Sequence, residues 1–411
     1  MRARTLVISL VALVIGSCAP GDERSGPART GDDLLFLRTP RGLALVLARP
    51  DAVAVHFSDG VPSMDWSSVV QAVRDGKRTR IEAFDTATGE ELWSRPVPGR
   101  LEVKAVAEDG RLAVLGDPRT GGVYPAGRST TRFVIVASDA EARTVTLEGN
   151  FEPEAFSTDG GSLFVIEYIP PQAPTAYRVR RLDLATGEVG GVYTVDAELQ
   201  TAMRGTARIQ TASPDGNRLY TLYSLRAADG NLHSFVHVLS LDEDWAHCVD
   251  LPEGFRTEQE RAVAMSVSPD GRNLFVADVL TGEVAKIDTQ ALRVTRTAQL
   301  PLGPWGRDPA HAAKAADGML YVGSGTGLHS IDADSFAPGP SWDFERRIMG
   351  IQAGSEGRRL YVGLPDRIAV IDTVSGRSLT ALRPERIEEI DQLGTSTRTI
   401  ERERRSVTCA C

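Results

Sequence analysis

The stretch MSVSPDGRNLFVADVLTGEVAKIDTQALRVTRTAQLP, Met265–Pro301, decides how the chain is read. Ala264–Ser268 and Asn273–Val279 are short apolar runs on either side of Ser-Pro-Asp-Gly-Arg. Pro269 presets φ for a turn, Asp270 tolerates the next position, and Gly271 supplies a positive φ, so the two runs form a hairpin. A second turn at Leu280–Glu283 leads into Val284–Asp288, and Arg293–Leu300 follows Gln290-Ala291. Runs of about five to eight residues are strands, too short for helices. Asn273–Val279 is apolar at consecutive positions, so this strand needs cover on both faces.

The same signals recur outward in both directions. Gly110, Gly160, Gly216, Gly271, Gly318 and Gly357, each after Asp or Glu, are spaced 50, 56, 55, 47 and 39 residues apart. An apolar second strand with Phe or Tyr returns at Ser162–Val165, Arg218–Thr221, Met319–Val322 and Arg359–Val362. An aspartate in the third strand returns at Asp85, Asp183, Asp288, Asp332 and Asp372. A period of this length, one four-stranded unit per repeat, predicts an all-β chain folded as a β-propeller of antiparallel blades. The blades fall at Gly42–Val97, Glu102–Asn150, Glu154–Asp196, Ala207–Pro252, Ala262–Pro301, His311–Glu345 and Ile348–Glu385, a seven-bladed ring over residues 34–385. In the first of these Asp59–Lys77 reads as an insertion, with a helical turn at Met64–Val73. Leu34–Leu37 reads as an extra apolar run.

Two resemblances support this fold. Ala83–Trp93 (AFDTATGEELW) is similar to the tryptophan-docking repeat of quinoprotein dehydrogenases, in which the tryptophan locks one blade to the next. The match occurs once, and it implies blade packing more than a quinone cofactor. Phe275–Asp278 and Tyr361–Gly363 stand where the "YVTN" motif of surface-layer and cytochrome-associated propellers sits, a resemblance that covers most of Ala207–Arg383. It implies fold and little about activity.

At the N-terminus, Arg2 and Arg4 precede the apolar stretch Leu6–Ile15, which is too short to span a bilayer. It ends in Ile15-Gly-Ser-Cys18, which resembles a bacterial lipobox, so residues 1–17 read as a signal peptide and Cys18 as the lipidated residue. Residues 18–33, rich in Gly, Pro, Ser and charge, read as a flexible tether. Residues 386–411 read as a polar, charged tail ending in Cys-Ala-Cys, with a helical turn at Pro384–Leu393. Localisation is then the outer, extracytoplasmic face of a cell membrane. In that compartment Cys248 can pair with Cys409 or Cys411. A zinc site of His247, Cys248, Cys409 and Cys411 and an unpaired tail are the alternatives.

The net charge of −9 argues against nucleic acid as a partner. No nucleophile elbow, zinc-protease motif, phosphate loop or EF-hand is present, and no cofactor or metal is expected from a motif. In an antiparallel four-stranded blade, second-to-third loops and inter-blade links share one end of the ring. The long segments Asp59–Lys77, Asp117–Arg132, Tyr168–Arg178, Ala197–Arg208, Leu225–Ser234, Pro252–Arg261 and Pro301–His311 all fall there, and function collects on such loops. The candidate binding residues on them are Trp305, Arg307, Asp308, His311, Tyr168, Tyr177, Arg204 and Arg256, with Tyr124 and Arg128 nearby in kind. Arginines and aromatics on an acidic protein fit an envelope protein or a small anionic ligand. The reading is a lipid-anchored binding or scaffolding module. The alternatives are an envelope enzyme with a channel site, quinone- or metal-dependent or a lactonase, and an assembly factor resembling the propeller lipoproteins of outer-membrane machinery.

Overall fold

The computed structural model describes residues 32–400, apart from 51, 119, 195–200, 227–229, 257–261, 301–310, 317 and 356, and gives the backbone alone at 32, 311–316 and 395–400. Among the described residues there are 32 strands and no α-helix. The strands form eight antiparallel sheets of four. The protein is a β-propeller, and it has eight blades, not the seven that the repeat count predicts.

Seven blades take four consecutive strands each. They are β4–β7 (Val61–Pro62, Ser68–Asp75, Arg78–Asp85, Glu91–Pro98), β8–β11 (Glu102–Val106, Leu112–Gly116, Thr130–Ala137, Arg143–Glu148) and β12–β15 (Asn150–Phe156, Ser162–Ile169, Ala176–Asp183, Val189–Gly191). Next come β16–β19 (Thr206–Ala212, Arg218–Arg226, Leu232–Ser240, Ala246–Asp250) and β20–β23 (Val263–Val267, Asn273–Asp278, Glu283–Asp288, Arg293–Gln299). The last two are β24–β27 (His311–Ala316, Met319–Ser324, Gly327–Asp332, Pro338–Asp343) and β28–β31 (Gly350–Ala353, Arg359–Leu364, Arg367–Asp372, Ser378–Leu382).

The eighth blade closes the ring from both ends of the chain. Its outer strands are β1–β3 (Asp32–Thr39, Gly42–Leu47, Val55–Phe57), and its fourth is β32 (Gln392–Ile400), antiparallel to β1. The ring therefore runs from Asp32 to Ile400. Leu34–Leu37 is strand β1, Asp59–Lys77 contains β4 and β5 in place of an insertion with a helical turn, and the polar tail contributes β32. The buried Asp33 carboxylate fastens this blade to its neighbour. It accepts from Ser355 Oγ (2.7 Å), Ser355 N (3.1 Å) and Tyr361 Oη (2.7 Å).

The core lies between blades. The second strand of each repeat is covered on both sides, as its continuous apolar run requires. On β21, Leu274 and Val276 pack with residues of β16–β18, while Phe275 and Ala277 pack with Leu320 and Val322 of the following blade. Burying one such side chain contributes about 1.5–3 kcal/mol.

The recurrent aspartates hold the turns at one end of the ring. In the first-to-second strand turns, Ser157, Ser213 and Ser268 donate to Asp159, Asp215 and Asp270, and the next strand donates its N–H back to the serine. In the third-to-fourth strand turns, Asp183, Asp288, Asp332 and Asp372 each accept a backbone N–H three residues on. Trp93 is a blade lock, as its resemblance implies. It faces Ala83 across the ladder and donates its indole N–H to the Gly110 carbonyl of the next blade at 3.1 Å. Trp342, outside any motif, does likewise to Gly376 of the next blade at 2.7 Å.

Candidate functional site

Each blade presents one innermost strand to the axis: β4, β8, β12, β16, β20, β24, β28 and β32. Around most of the ring these strands lie against one another: β4 on β8, β8 on β12, β16 on β20, β20 on β24, β24 on β28 and β28 on β32. Strands β12 and β16 barely touch, as do β32 and the two-residue β4. Strands β12 and β16 each carry a β-bulge, at Glu154 between Pro153 and Ala155, and at Arg208 between Ala207 and Ile209, as β8 does at Lys104 between Val103 and Ala105. A bulge bends its strand and re-aims the extra side chain. Here it places one acid and one base at the same blade boundary.

The boundary opens into a cavity of about 470 Å³, within the usual range of ligand pockets, roughly 300–1,000 Å³. Its polar wall is Glu154, Arg208, Gln210 and Thr221, and its aromatic wall is Tyr124, Tyr168, Tyr177 and Tyr223. Gln210 spans the boundary, donating Nε2 to Glu154 Oε1 at 2.6 Å and to Thr221 Oγ1 at 3.0 Å. Arg208 Nε donates to Ser224 Oγ at 2.5 Å, which fixes the guanidinium stem.

The aromatic wall grows from the ends of the second and third strands. Tyr168 on β13 faces Tyr177 on β14 in register, and Tyr223 on β17 faces Phe235 on β18. Tyr177, Tyr223 and Phe235 stack as a column, with centroids 5.4 Å apart at each step. Tyr124, Tyr168 and Tyr177 pack at mutual centroid distances of 6.2, 6.3 and 6.4 Å. Burial pushes the Tyr177 and Tyr223 phenols well above the ordinary tyrosine value. Each is raised further by a neighbour, Tyr223 for Tyr177 and the Glu154 carboxylate for Tyr223. Both rings therefore stay neutral. The Tyr177 hydroxyl is buried and lies near the Tyr223 phenol without a hydrogen bond of good geometry.

The roof is the β9–β10 loop, which contributes Gly122, Val123 and Tyr124. It is stapled to the β13–β14 loop. Tyr124 Oη donates to Thr175 O (3.1 Å), Arg128 N to Pro171 O (3.1 Å), and Asn150 Nδ2 to both Ala126 O and Pro171 O (3.0 Å each). Gly127 makes this approach feasible, since a Cβ there would stand 1.9 Å from Gln172 O.

Of the candidates from sequence, Tyr168 and Tyr177 come together in the cavity, at the long-loop end as topology requires. Arg204 is exposed, next to Met203, whose backbone pairs with Tyr177, and does not line the cavity. Arg256 is bound to its own turn through Glu253. His311 opens β24, where only the backbone is described, and Trp305, Arg307 and Asp308 lie outside the described residues. Cys18, Cys409 and Cys411 also lie outside them. Cys248, on the outermost strand β19, forms no disulfide among the described residues. Its Sγ sits 3.8 Å from Met203 Sδ. The thiol is exposed on one side, but crowding around the sulfur, aided by Asp250, pushes it up to about 11.

Three other arginines of this end are engaged internally. Arg128 pairs with Glu152 (2.6 Å), and Arg178 and Arg180 with Glu167 (2.7 and 3.0 Å). Arg208 and Glu154, the charges that line the cavity, were not singled out by sequence. A local signal existed for one of them. Proline inside a strand marks an edge or a bulge, and Pro153 directly precedes Glu154. Among the described residues no group of three or more His, Cys, Asp or Glu is placed to hold a metal ion.

No family model and no curated protein matches the chain. Solved structures do share its fold. Over 93% of its length it superposes on 77% of the dihydro-heme d1 dehydrogenase NirN in complex with DHE, with a TM-score of 0.54 and 13% identity. Over 88% of its length it superposes on 96% of apo AztD from Citrobacter koseri, with a TM-score of 0.52 and 12% identity. Identities this low carry the fold alone.

Proposed function

We propose that this chain is a small-molecule-binding propeller, tethered by lipid on Cys18 to the extracytoplasmic face of a bacterial membrane. The observation that carries the binding role is the cavity between β12 and β16, where two bulges and four tyrosines enclose about 470 Å³ at the long-loop end. A ring with a cavity at this boundary, walled by neutral phenols and roofed by a stapled loop, is arranged to hold a ligand. The similarity of fold to NirN, solved in complex with DHE, is compatible with a ligand-holding propeller and does not choose the ligand. The tether rests on Leu6–Ile15 and the Ile-Gly-Ser-Cys motif that follows it.

Native mass spectrometry of the full-length protein, extracted from its host's envelope in mild detergent, tests the binding role. The expected result is a co-purifying small-molecule mass that is lost when Ala207→Trp fills the cavity. No added mass, or the same mass on both proteins, overturns it. For the tether, Cys18→Ala should release the protein from the membrane fraction, and a variant that stays membrane-bound refutes lipidation.

A further inference from the structure

The link that leads into the cavity wall hangs on one methionine. Of Thr201, Ala202, Met203 and Arg204, only Met203 is drawn in from solvent, and then only in part. Its backbone pairs with Tyr177 in both directions: its N–H donates to Tyr177 O at 2.6 Å and its carbonyl accepts from Tyr177 N at 3.0 Å. Its side chain packs against two clusters, one containing Phe164 and Leu239 and the other the rings of Tyr177, Tyr223 and Phe235. Its Sδ accepts from Cys248 Sγ at 3.8 Å. The chain then runs through Gly205 into β16, which lines the cavity from Thr206 to Gln210 and buries none of its own residues fully.

We propose that Met203 is an oxidation site, where a peroxide converts the thioether to the sulfoxide and so loosens the β16 wall of the cavity. That this controls binding rests on reading the cavity as a small-molecule site. In the step, Sδ attacks one peroxide oxygen, the O–O bond breaks and an S–O bond forms. With hydrogen peroxide, the departing hydroxide takes the proton of the transferred oxygen and leaves as water. Sulfur is oxidised and the peroxide reduced. Met203 is partly exposed and touches an exposed cysteine, whereas Met265 is 3% exposed in the core, so peroxide reaches Met203 first. A thiol reacts through its thiolate, and a thioether reacts without losing a proton. Cys248, pushed up to about 11, stays protonated at neutral pH, which leaves Met203 as the reactive sulfur of the pair. The sulfoxide is polar and stands among apolar side chains and rings, where an unpaired polar group is costly. Moving the link out to water relieves that cost, and takes the Tyr177 pairing and the start of β16 with it.

Hydrogen exchange of the full-length protein in detergent, before and after hydrogen peroxide, tests this on peptides covering Ala176–Asp183 and Thr206–Ala212. Met203 should gain oxygen before Met265 does. Exchange in both peptides should then rise about tenfold or more, as an unpaired polar group in an apolar cluster implies, with β20–β23 little changed. Met203→Leu keeps the anchor without an oxidisable sulfur, so its exchange should not respond to peroxide. Met203→Gln, polar from the start, should exchange fast without it. Native mass spectrometry should show the co-purifying mass lost from oxidised wild type and kept by peroxide-treated Met203→Leu. Met203 staying reduced while Met265 oxidises overturns the inference. So do unchanged exchange after oxidation, equal acceleration in Met203→Leu, and the mass retained on oxidised wild type. If no mass co-purifies with the untreated protein, the cavity reading falls, and the exchange arms still decide whether Met203 governs this wall.

Discussion

One buried carboxylate fastens the closing blade to its neighbour, and removing it should loosen one ladder selectively. Asp33 is 7% exposed, on the strand that pairs with β32, and reaches across to the β28–β31 blade. It accepts three hydrogen bonds, two from Ser355 and one from the fully buried Tyr361. Hydrogen bonds to a charged group contribute roughly 1.5–3 kcal/mol each, and a buried partner left unpaired costs about 1–3 kcal/mol. These terms overlap, so Asp33→Ala should cost about 3–5 kcal/mol. Tyr361→Phe, which removes one donor and keeps the ring, should cost about 1–2 kcal/mol.

The assay is hydrogen exchange of peptides covering Asp32–Thr39 and Gln392–Ile400. If these strands open together as one unit, a loss of about 3–5 kcal/mol accelerates their exchange by roughly two orders of magnitude or more. Exchange in β20–β23, on the other side of the ring, should change far less. In Asp33→Ala/Tyr361→Phe the two effects should fall short of additivity, because the substitutions remove a shared bond. Exchange at β1 and β32 within a few-fold of the wild type would refute the reasoning, and so would a uniform increase around the whole ring.

Other substitutions test other parts of the scaffold. Trp93→Phe keeps an aromatic ring against Ala83 but loses the bond to Gly110, so it should lower stability by about 1–2 kcal/mol in denaturant unfolding. Gly127→Ala places a methyl against the Gln172 carbonyl, so the roof should part from the β13–β14 loop and become sensitive to limited proteolysis, with the ring's unfolding midpoint nearly unchanged. Asp183, Asp288, Asp332 and Asp372 are held below the ordinary carboxylate value, first by a backbone N–H three residues on. A depressed folded value means that their contribution is present above pH about 4 and is lost as pH falls through the folded values. The unfolding midpoint should therefore drop below pH about 4, and a combined Asp→Asn replacement of the four should flatten that drop.

Most of the ring was legible because its turns are dictated locally. Ser-x-Asp-Gly and Asp-x-x-Thr/Ser fix hairpins by their own side-chain hydrogen bonds, whatever lies around them. The eighth blade was merged with the first because two of the strands that separate them are not announced locally. Strand β4 is two residues long, and β32 reads QLGTSTRTI, small and polar, so neither gives the apolar run that marks a strand. The pairing of β32 with β1 is imposed by ring closure between residues about 360 positions apart in sequence, and long-range partners are set by the whole topology. The end of the ring that carries the cavity was legible for the opposite reason. Antiparallel connectivity alone sends the second-to-third loops and the links to one end. Tyr168 and Tyr177 could be chosen on that ground.

Glu154 and Arg208 belong to a different class. A bulge is a mismatch between two strands, here Glu154 against the Val165-Phe164 step and Arg208 against Tyr223-Leu222. Apart from the hint of Pro153 beside Glu154, it is visible only once the partners and their register are known. The consequence extends beyond two side chains. On β20 every residue is buried, while on β16 none of the seven is. A strand that packs no residue fully into a core contributes little to holding the ring together, and burial is what stabilises such folds. Retaining β16 in this exposed form, beside the gap to β12, forgoes packing that most of the other boundaries have. Arg208 and Gln210 of β16 then line the cavity with Glu154 of β12 and the tyrosines of the neighbouring strands and roof. That exchange of packing for an accessible charged surface is the physical reason to look for the ligand at this boundary and not at the axis or the tight turns.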